Sequence, residues 1–487
     1  MYYPTLEEVK KHSRDGNLIP VYREIVADLE TPVSAFLKIN RGGYSFLLES
    51  VEGGQRLARY SFIGTEPYKV LTTKAEDRKD PLPPIAEELG RYKIVAVSGL
   101  PRFCGGAVGY LAYETITRFE ELPSPNDDPL GLPESLFMFV DTMLVFDHVT
   151  HKIKALSYVR LDGDIEAAYQ KAVDRIDSLV DRLGQPLPAS QRTTAGPHMN
   201  SYKLTSNLSK EEFKAGVLKI KQYITAGEAI QVVLSQRLAQ PTDAAPFEIY
   251  RALRTINPSP YMFYLDFTDF HIIGASPEIL VRVEDGMVTT RPLAGTRLRG
   301  QTPAEDLRLE QELRSDAKEC AEHIMLVDLG RNDIGRVSQP GTVGVSDLMD
   351  VERYSHVMHL VTHVQGRLRP ELTAFDALRA CFPAGTVSGA PKIRAMEIIA
   401  ELEPQKRGPY AGATGYFSFS GNMDMAISIR TMVVTKGVAY VQAGGGIVYD
   451  SIPEREYEET MNKARALLKA ISQAEGLAAG GSHAAAD

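Results

Sequence analysis

Cysteine is scarce in this chain of 487 residues, and basic residues are fewer than acidic ones. Its three cysteines, Cys104, Cys320 and Cys381, form no CxxC pair, so neither a disulfide framework nor a zinc knuckle is expected. The formal net charge of −9 gives no electrostatic reason to expect nucleic acid, although one cleft could still be locally positive for a small anion. We therefore expect reduced, buried thiols and no nucleic-acid partner.

Long apolar runs are missing as well. The chain has no run of about 18 apolar residues that could cross a membrane. Its first residues, MYYPTLEEVKKHSRDG, lack the basic segment and following apolar segment of a secretion signal. We predict a cytoplasmic protein with no membrane partner.

A stretch rich in Gly, Pro, Ser and Thr, residues 184–200, divides the chain. We predict an amino-terminal region over residues 1–195, a second domain over residues 201–475 and a disordered tail over residues 476–487. At this length the two regions should share an extensive core. Strand-like and helix-like stretches occur in runs, which favours an α+β fold with large antiparallel sheets packed with helices.

Local patterns predict several elements of the second domain. A helix should begin at Ser209, with Glu212 completing a capping box, and Asp285-Gly286 predicts a tight turn between strands. We also predict helices over residues 304–329 and 454–473, and strands over residues 357–366, 414–419, 425–435 and 438–443.

Two pairs of glutamates have the spacing ExxE: Glu319 with Glu322, and Glu456 with Glu459. Residues at i and i+3 share one helical face, so two such helices that meet could hold one hard cation with four carboxylates. Solvated helices also carry this pattern, and Lys463 at i+4 is a simple surface partner for Glu459. The spacing alone leaves both interpretations open.

Three histidines, His356, His359 and His363, would suggest a metal site if they lay on a helix. The run around them alternates and is β-branched, which predicts a strand on which His356 faces away from the other two. Each histidine is then either a structural residue or an acid–base group.

Glycine-rich stretches at residues 383–392 and 442–450 could present backbone N–H groups to an anion, or could simply be tight turns. Neither has the spacing of a nucleotide-binding loop. Arg430 interrupts an apolar strand pattern, and a buried arginine needs an anionic partner. That partner is either a ligand or a structural carboxylate.

Seven motifs occur in the order typical of one enzyme family. Over residues 205–473 the chain resembles the chorismate-utilising enzymes, on the motifs RPLAGTRLRG, ELRSDAKECAEHIMLVDLGRND, YSHVMHLVTHVQGRL, FPAGTVSGAPK, GPYAGATGY, IRT and QAGGGIVYDSIPEREYEET. The stretches LLES and RYSFIG resemble the amino-terminal regulatory region of anthranilate synthase component I. The resemblance implies a layered sandwich of sheets and helices.

The resemblance also implies the ligands of the site. Glu322 and Glu459 would bind Mg²⁺ directly, while Glu319 and Glu456 would act through water, and the metal would hold the ring carboxylate of chorismate. The other substrate-binding positions implied by the motifs are Arg430, Tyr410, Gly295, Thr296, Thr386, Gly444, Gly445 and Gly446.

The implied reaction adds ammonia to the ring as the C4 hydroxyl leaves, and then eliminates pyruvate. Glu278 resembles the general acid for the hydroxyl, although its local pattern is that of an exposed carboxylate at a strand end. His359 matches the residue associated with the second step.

Two positions distinguish the branches of the family. Relatives that use water carry a lysine where this chain has Gln231, and a glutamine cannot activate water as a base. Aminodeoxychorismate synthases typically carry a nucleophilic lysine where this chain has Ala294. Both positions favour anthranilate synthesis, with aminodeoxychorismate synthesis and an idle regulatory subunit as the alternatives.

The resemblance further implies regulation and a partner. Glu49 and Ser50, together with Pro260, Tyr261 and Met262, match an inhibitor pocket for tryptophan, although an ordinary strand end and turn would show the same residues. The chain has no glutaminase motif. Ammonia from glutamine would then need a separate glutamine amidotransferase subunit, and we expect a hetero-oligomer.

Overall fold

The computed structural model describes residues 1–51, 59–188, 203–354 and 357–480, without the side chains of residues 477–480. Within these ranges the chain forms two large antiparallel sheets packed with helices, which confirms the predicted α+β class. The helices are α1 Leu6–Lys11, α2 Pro32–Ile39, α3 Leu82–Gly90, α4 Ile165–Leu183, α5 Lys210–Thr225, α6 Pro246–Ile256, α7 Pro303–Ser315, α8 Ala317–Gly335, α9 Ala374–Cys381, α10 Gly385–Ser388, α11 Lys392–Leu402 and α12 Pro453–Gly480, with short 3₁₀ helices at Ala75–Asp77 and Tyr113–Arg118.

The strands follow in chain order. They are β1 Leu18–Val26, β2 Ser45–Glu49, β3 Tyr60–Thr65, β4 Lys69–Thr73, β5 Gly106–Leu111, β6 Ser135–Val140, β7 Thr142–Asp147, β8 Lys152–Arg160, β9 Thr205–Ser206, β10 Gln231–Pro241, β11 Tyr261–Asp266, β12 Phe270–Ser276, β13 Ile279–Glu284, β14 Met287–Thr290, β15 Leu293–Leu298, β16 Gly344–Arg353, β17 Val357–Arg367, β18 Gly389–Ala390, β19 Ala413–Ser418, β20 Met423–Ile427, β21 Thr431–Thr435 and β22 Val438–Ile447.

Both sheets contain strands from either side of the proline- and glycine-rich stretch. The first sheet has the order β1-β8-β7-β3-β2-β11-β12-β21-β22-β10-β18, with β9 beside β10. The second has the order β15-β17-β14-β13-β20-β19-β5-β6-β4, with β16 beside β17. The two halves of the chain meet where β2 pairs with β11 and where β5 pairs with β19. The stretch itself falls largely outside the described residues, at 189–202.

Two apolar layers hold the sheets and helices together. Successive residues of a strand point to opposite faces, so Phe46 and Leu47 of β2 enter different cores. Phe46 joins a cluster that also contains Phe137 and Phe417 of the second sheet, and this core therefore lies between the sheets. Leu47 joins the cluster formed with α2, α4, α6 and α12 on the outer face. The result is a layered sandwich.

Two predicted elements are interrupted in the structure. The helix predicted over residues 304–329 is two helices, because Asp316 leaves the helical conformation and its side chain accepts hydrogen bonds from the backbone N–H groups of Lys318 and Glu319. The strand predicted over residues 425–435 is also two strands, and Arg430 lies between them in the left-handed region with φ of 50°. The apolar neighbours of Arg430 predicted that it lies inside a strand, and this prediction is wrong.

The last helix is longer than predicted. α12 continues to Gly480, so residues 476–480, which were expected in the tail, are helical. Ala470, Ile471 and Ala474 are buried against the outer core, which stabilises the helix beyond the predicted end. Residues 481–487 lie outside the described residues. None of the helices in the described part of the chain is both long enough and apolar enough to span a bilayer.

Candidate active site

The two glutamate pairs lie on helices α8 and α12. Burial raises the pKa of Glu322, and the nearby carboxylates of Glu319 and Glu459 raise it further. Burial likewise raises the pKa of Glu456, with a further contribution from Glu459. The mutual effects show that carboxylates from both helices share one region of negative charge.

This region offers hard oxygen donors. Within the described ranges, no three His, Cys, Asp or Glu side chains are grouped closely enough to hold a metal ion by themselves. Magnesium is commonly bound by one or two carboxylates and keeps several waters, so it does not require such a closed group. The donor set therefore fits Mg²⁺ bound by two carboxylates, with the others acting through water.

Lys463, for which the spacing to Glu459 predicted only a surface ion pair, also contacts the glycine-rich strand of the site. Its Nζ lies 2.7 Å from Oε1 of Glu459 and donates a hydrogen bond of 3.0 Å to the carbonyl of Gly444. On the other helix, Arg297 lies 3.4 Å from Glu319 and 2.7 Å from Asp316. Each glutamate pair thus has one cation that partly offsets its charge.

Gln231 begins strand β10 and faces the same carboxylates. Its Nε2 donates to Oε1 of Glu322 at 3.3 Å, while its own Oε1 is buried and has no hydrogen-bond partner among the described residues. Only glycine fits opposite it, because a Cβ at Gly446 would lie 2.0 Å from the Gln231 amide nitrogen. This buried acceptor is free to accept a hydrogen bond from a bound ligand or from water.

Arg430, Tyr410 and Gly444 meet beside Lys463. The Arg430 guanidinium donates to the carbonyl of Lys463 at 2.9 Å, and no carboxylate in the described ranges forms an ion pair with it. A Cβ at Gly444 would lie 2.7 Å from the Tyr410 hydroxyl, so glycine permits the close approach of this strand. The absence of a structural carboxylate partner among the described residues favours the ligand interpretation of Arg430.

Glu278 is buried between strands β12 and β13, in contrast to the exposed strand-end carboxylate that its local pattern suggested. Burial raises its pKa to about 8, although the Thr386 hydroxyl and the Leu293 N–H lower it. Glu278 and Thr386 line a small cavity of about 30 Å³, and the Thr386 hydroxyl has no hydrogen-bond partner at normal distance among the described residues. A protonated Glu278 can donate to a group bound in this cavity.

The predicted strand around the histidines is confirmed as β17, so the helical three-histidine site does not form. Nδ1 of His359 lies 2.8 Å from the carbonyl of Gly295, to which it donates, and 3.1 Å from the Thr296 hydroxyl. Burial lowers the pKa of His359. A neutral imidazole whose Nδ1 carries the proton has Nε2 available as a base. His356 lies outside the described residues.

A second cleft, of about 450 Å³, lies between the two halves of the chain. Glu49 at the end of β2 pairs in register with Met262 of β11 and accepts hydrogen bonds from Tyr250 and Arg254, at 2.5 and 3.0 Å. The Ser50 hydroxyl is buried and has no partner among the described residues. All five positions assigned to the inhibitor line this cleft, which are Glu49, Ser50, Pro260, Tyr261 and Met262.

Comparison with known proteins identifies the family. A model of chorismate-binding enzymes matches residues 43–469. The chain is 54% identical to anthranilate synthase component 1 of Acetivibrio thermocellus, over 97% of this chain and 99% of that protein. The chain belongs to the anthranilate synthase component I family. The component I of Pseudomonas aeruginosa is 50% identical, over 96% and 99% of the two chains.

Solved structures of related enzymes have the same fold as this chain. The crystal structure of anthranilate synthase component I from Streptococcus pneumoniae has a TM-score of 0.76 at 40% identity and covers 91% of this chain and 98% of that one. The menaquinone-specific isochorismate synthase of Escherichia coli has a TM-score of 0.71 at 21% identity over 96% and 98%, a likeness of fold alone. The layered α+β sandwich is thus the fold of component I.

Two buried arginines near the site were not among the residues predicted from the sequence. Arg291 is buried, pairs with Glu352 at 3.0 Å and lies near both Glu278 and His359. Arg407, just before the motif GPYAGATGY, is buried below Tyr410. Neither has a local signal, because an arginine in a polar loop is usually exposed.

Proposed function

We propose that this chain converts chorismate and ammonia into anthranilate and pyruvate, the first step of tryptophan synthesis. The observation that carries the proposal is that Gln231 meets the carboxylates of the two glutamate helices, while the Arg430 guanidinium lies on the carbonyl of Lys463 of α12 and forms no ion pair with a carboxylate of the described residues. One side of the site can hold a metal ion, and the other side carries the Arg430 guanidinium. Each can bind one of the two carboxylates of chorismate.

Substrate binding is shared between the two sides. Arg430 and Tyr410 bind the enolpyruvyl carboxylate, with backbone N–H groups of Gly444, Gly445 and Gly446 as further donors, because arginine suits a planar anion. Glu322 and Glu459 would hold Mg²⁺, and Glu319 and Glu456 would support it through water. Mg²⁺ bound there would supply positive charge to the ring carboxylate. Gly295, Thr296 and Thr386 complete the substrate contacts.

Ammonia is the nucleophile in this proposal. Gln231 cannot act as a base toward water, and Ala294 cannot attack the ring. No observation favours aminodeoxychorismate synthesis or an idle regulatory subunit. The carboxylates, Arg430 and the candidate acid and base are all present.

Glu278 and His359 divide the proton transfers. Ammonia forms a bond to the ring carbon beside the carboxylate-bearing one, while the C4–O bond breaks and Glu278 gives its proton to the departing hydroxyl, which leaves as water. The product is aminodeoxyisochorismate. His359 then takes the ring proton at Nε2, the bond between the ring carbon and the enolpyruvyl oxygen breaks, and the ring becomes aromatic; protonation of the released enolate gives pyruvate.

The ammonia comes from a partner in the cell. The curated relatives are named component 1, which supports a second component, and the chain carries no glutaminase motif of its own. We propose a hetero-oligomer with a glutamine amidotransferase subunit, acting in the cytoplasm, where the three free cysteines stay reduced. The isolated chain works with free ammonia.

Tryptophan is the proposed inhibitor, bound in the cleft of Glu49, Ser50 and Met262. The cleft combines apolar walls with the unpartnered Ser50 hydroxyl, and it lies where β2 and β11 join the two halves of the first sheet. A ligand that binds both halves can bias the arrangement of the catalytic half.

The direct test is turnover by the purified chain with chorismate, Mg²⁺ and ammonium at alkaline pH. We expect a fluorescent product with the mass of anthranilate, released together with pyruvate. Aminodeoxychorismate as the product would move the chain to the other branch of the family, and absence of turnover would favour an idle subunit.

A further inference from the structure

Arg407 is the largest fully buried side chain among the described residues, with only 2% of its surface exposed. A buried guanidinium is costly unless its N–H groups are paired. Glu403 provides a fork, accepting from Nε at 2.8 Å and from one terminal nitrogen at 2.7 Å. The same Glu403 also accepts from the backbone N–H and the hydroxyl of Ser235, each at 2.8 Å. The pair is therefore fixed in one orientation.

The remaining hydrogen bonds of Arg407 reach two segments of the active site. One terminal nitrogen donates to the carbonyl of Val387 at 2.7 Å, and the other donates to the carbonyl of Val233 at 2.9 Å. Val387 follows Thr386 directly, and Val233 is two residues beyond Gln231 on β10. All three nitrogens of the guanidinium are thus occupied by the protein, so Arg407 acts on bound substrate only through other residues.

Aromatic rings lie on the guanidinium as well. Its carbon is 4.6 Å from the centre of the Tyr113 ring and 5.6 Å from that of Tyr410. The backbone N–H groups of Arg407 and Gly408 donate to the carboxyl of Glu114, at 2.7 and 3.0 Å. Tyr113 and Glu114 belong to the amino-terminal half, which therefore supports the active site of the other half at this point.

We infer that Arg407 is a positioning residue for chorismate binding, which sets Gln231, Thr386 and Tyr410 relative to one another. The inference rests on the proposed function of the site. Three segments that are far apart in the sequence are joined by one rigid, planar group, whose several N–H donors have fixed directions. None of these contacts touches Glu319, Glu322, Glu456 or Glu459, and strand β10 is reached only through the carbonyl of Val233, two residues from Gln231, so metal binding should change much less than chorismate binding.

The test compares Arg407→Lys with Arg118→Lys. Lysine keeps the charge beside Glu403 but cannot reach both carbonyls as well, so KM for chorismate should rise by about tenfold or more, while kcat and the Mg²⁺ concentration for half-maximal rate change by less than about threefold. Arg118 is the matched control, because it also donates to both oxygens of a buried glutamate, Glu134, and to a carbonyl, that of Ala75. Its replacement should lower only the melting temperature.

A second pair of variants serves if Arg407→Lys does not fold. Tyr113→Leu removes the ring from the guanidinium and should raise KM for chorismate, whereas Tyr113→Phe removes only a hydroxyl that has no partner in the described residues and should not. The inference would be overturned if Arg407→Lys folds and shows a wild-type KM with a lowered melting temperature, because its role would then be purely structural. If Arg407→Lys does not fold, the same result for Tyr113→Leu would overturn it. Failure of the wild-type chain to convert chorismate would instead refute the proposed function.

Discussion

Gln231 and Glu322 form a direct link between the nucleophile side and the metal side of the site. The side-chain amide of Gln231 donates to the Glu322 carboxylate at 3.3 Å, and its own oxygen remains without a partner among the described residues. A metal ion on Glu322 and a nucleophile beside Gln231 would therefore be next to each other. The first prediction concerns the metal.

Replacing Glu322 or Glu459 by alanine should remove Mg²⁺-dependent activity. Since groups that only support a metal ligand contribute about 10- to 100-fold, we expect a direct ligand to contribute at least about 100-fold in kcat/KM. Glu458 is exposed and precedes Glu459 on the same helix, so Glu458→Ala is the matched control and should retain activity. Titration of the initial rate with Mg²⁺ measures the effect. Equal activity of Glu459→Ala and Glu458→Ala would remove Glu459 from the metal site.

The protonation of Glu278 should set an upper pH limit on the reaction. Burial raises its pKa to about 8, so the folded protein keeps this proton below that pH and loses it above. At a constant concentration of unprotonated ammonia, kcat should fall as the pH rises through about 8, because the general acid is lost. The pH profile should be measured with free ammonia held constant.

Glu278→Gln provides the control for this profile. Glutamine fills the same space and cannot donate an acidic proton, so we expect kcat to fall by about 100-fold or more and the descending limb near that pH to vanish. An unchanged descending limb in this variant would assign it to another group.

His359→Ala should separate the two chemical steps. Amination of the ring does not need Nε2 of His359, whereas removal of the ring proton does, so the aminated intermediate should accumulate without release of pyruvate. His363 lies on the same strand, four residues further on, and His363→Ala should form anthranilate normally. Mass spectrometry of the products, with a pyruvate assay, distinguishes the two variants. Release of pyruvate at the wild-type rate by His359→Ala would contradict the assignment.

Tryptophan binding can be followed directly, because the chain contains no tryptophan of its own. We expect the fluorescence of added tryptophan to change on binding, and Ser50→Leu to weaken binding by about tenfold or more, since overfilling a packed site costs about 1–3 kcal/mol. Ser178 lies in a different cleft, and Ser178→Leu should bind normally. Equal binding by the two variants would place the inhibitor elsewhere.

Much of the fold could be predicted from local patterns. The capping box of Ser209 and Glu212 begins helix α5 as predicted, and Asp285 and Gly286 both take positive φ, as their tight turn requires. The breaks at Asp316 and Arg430 could not be predicted, because the residues on both sides continue the helical or apolar pattern. Tertiary contacts decide at such positions, and local propensity does not record them.

The site residues were harder to predict from local patterns than the fold. The local pattern favoured a structural interpretation of the glutamate pairs and of Glu278 and left Arg430 undecided, and only the ordered set of family motifs favoured the functional interpretation. Arg407 remained hidden because its partners lie 4, 20 and 174 residues away, so no local pattern marks it as buried. Lys463 had the correct partner, Glu459, but its second contact with Gly444 depends on how α12 packs on β22.

The most direct test of the central claim is the fate of nitrogen when the purified chain is given chorismate, Mg²⁺ and isotopically labelled ammonium. We predict that the label appears in anthranilate and that one pyruvate is released for each anthranilate formed. Label found in aminodeoxychorismate with no pyruvate, or conversion of chorismate to an unlabelled isomer, would contradict the account.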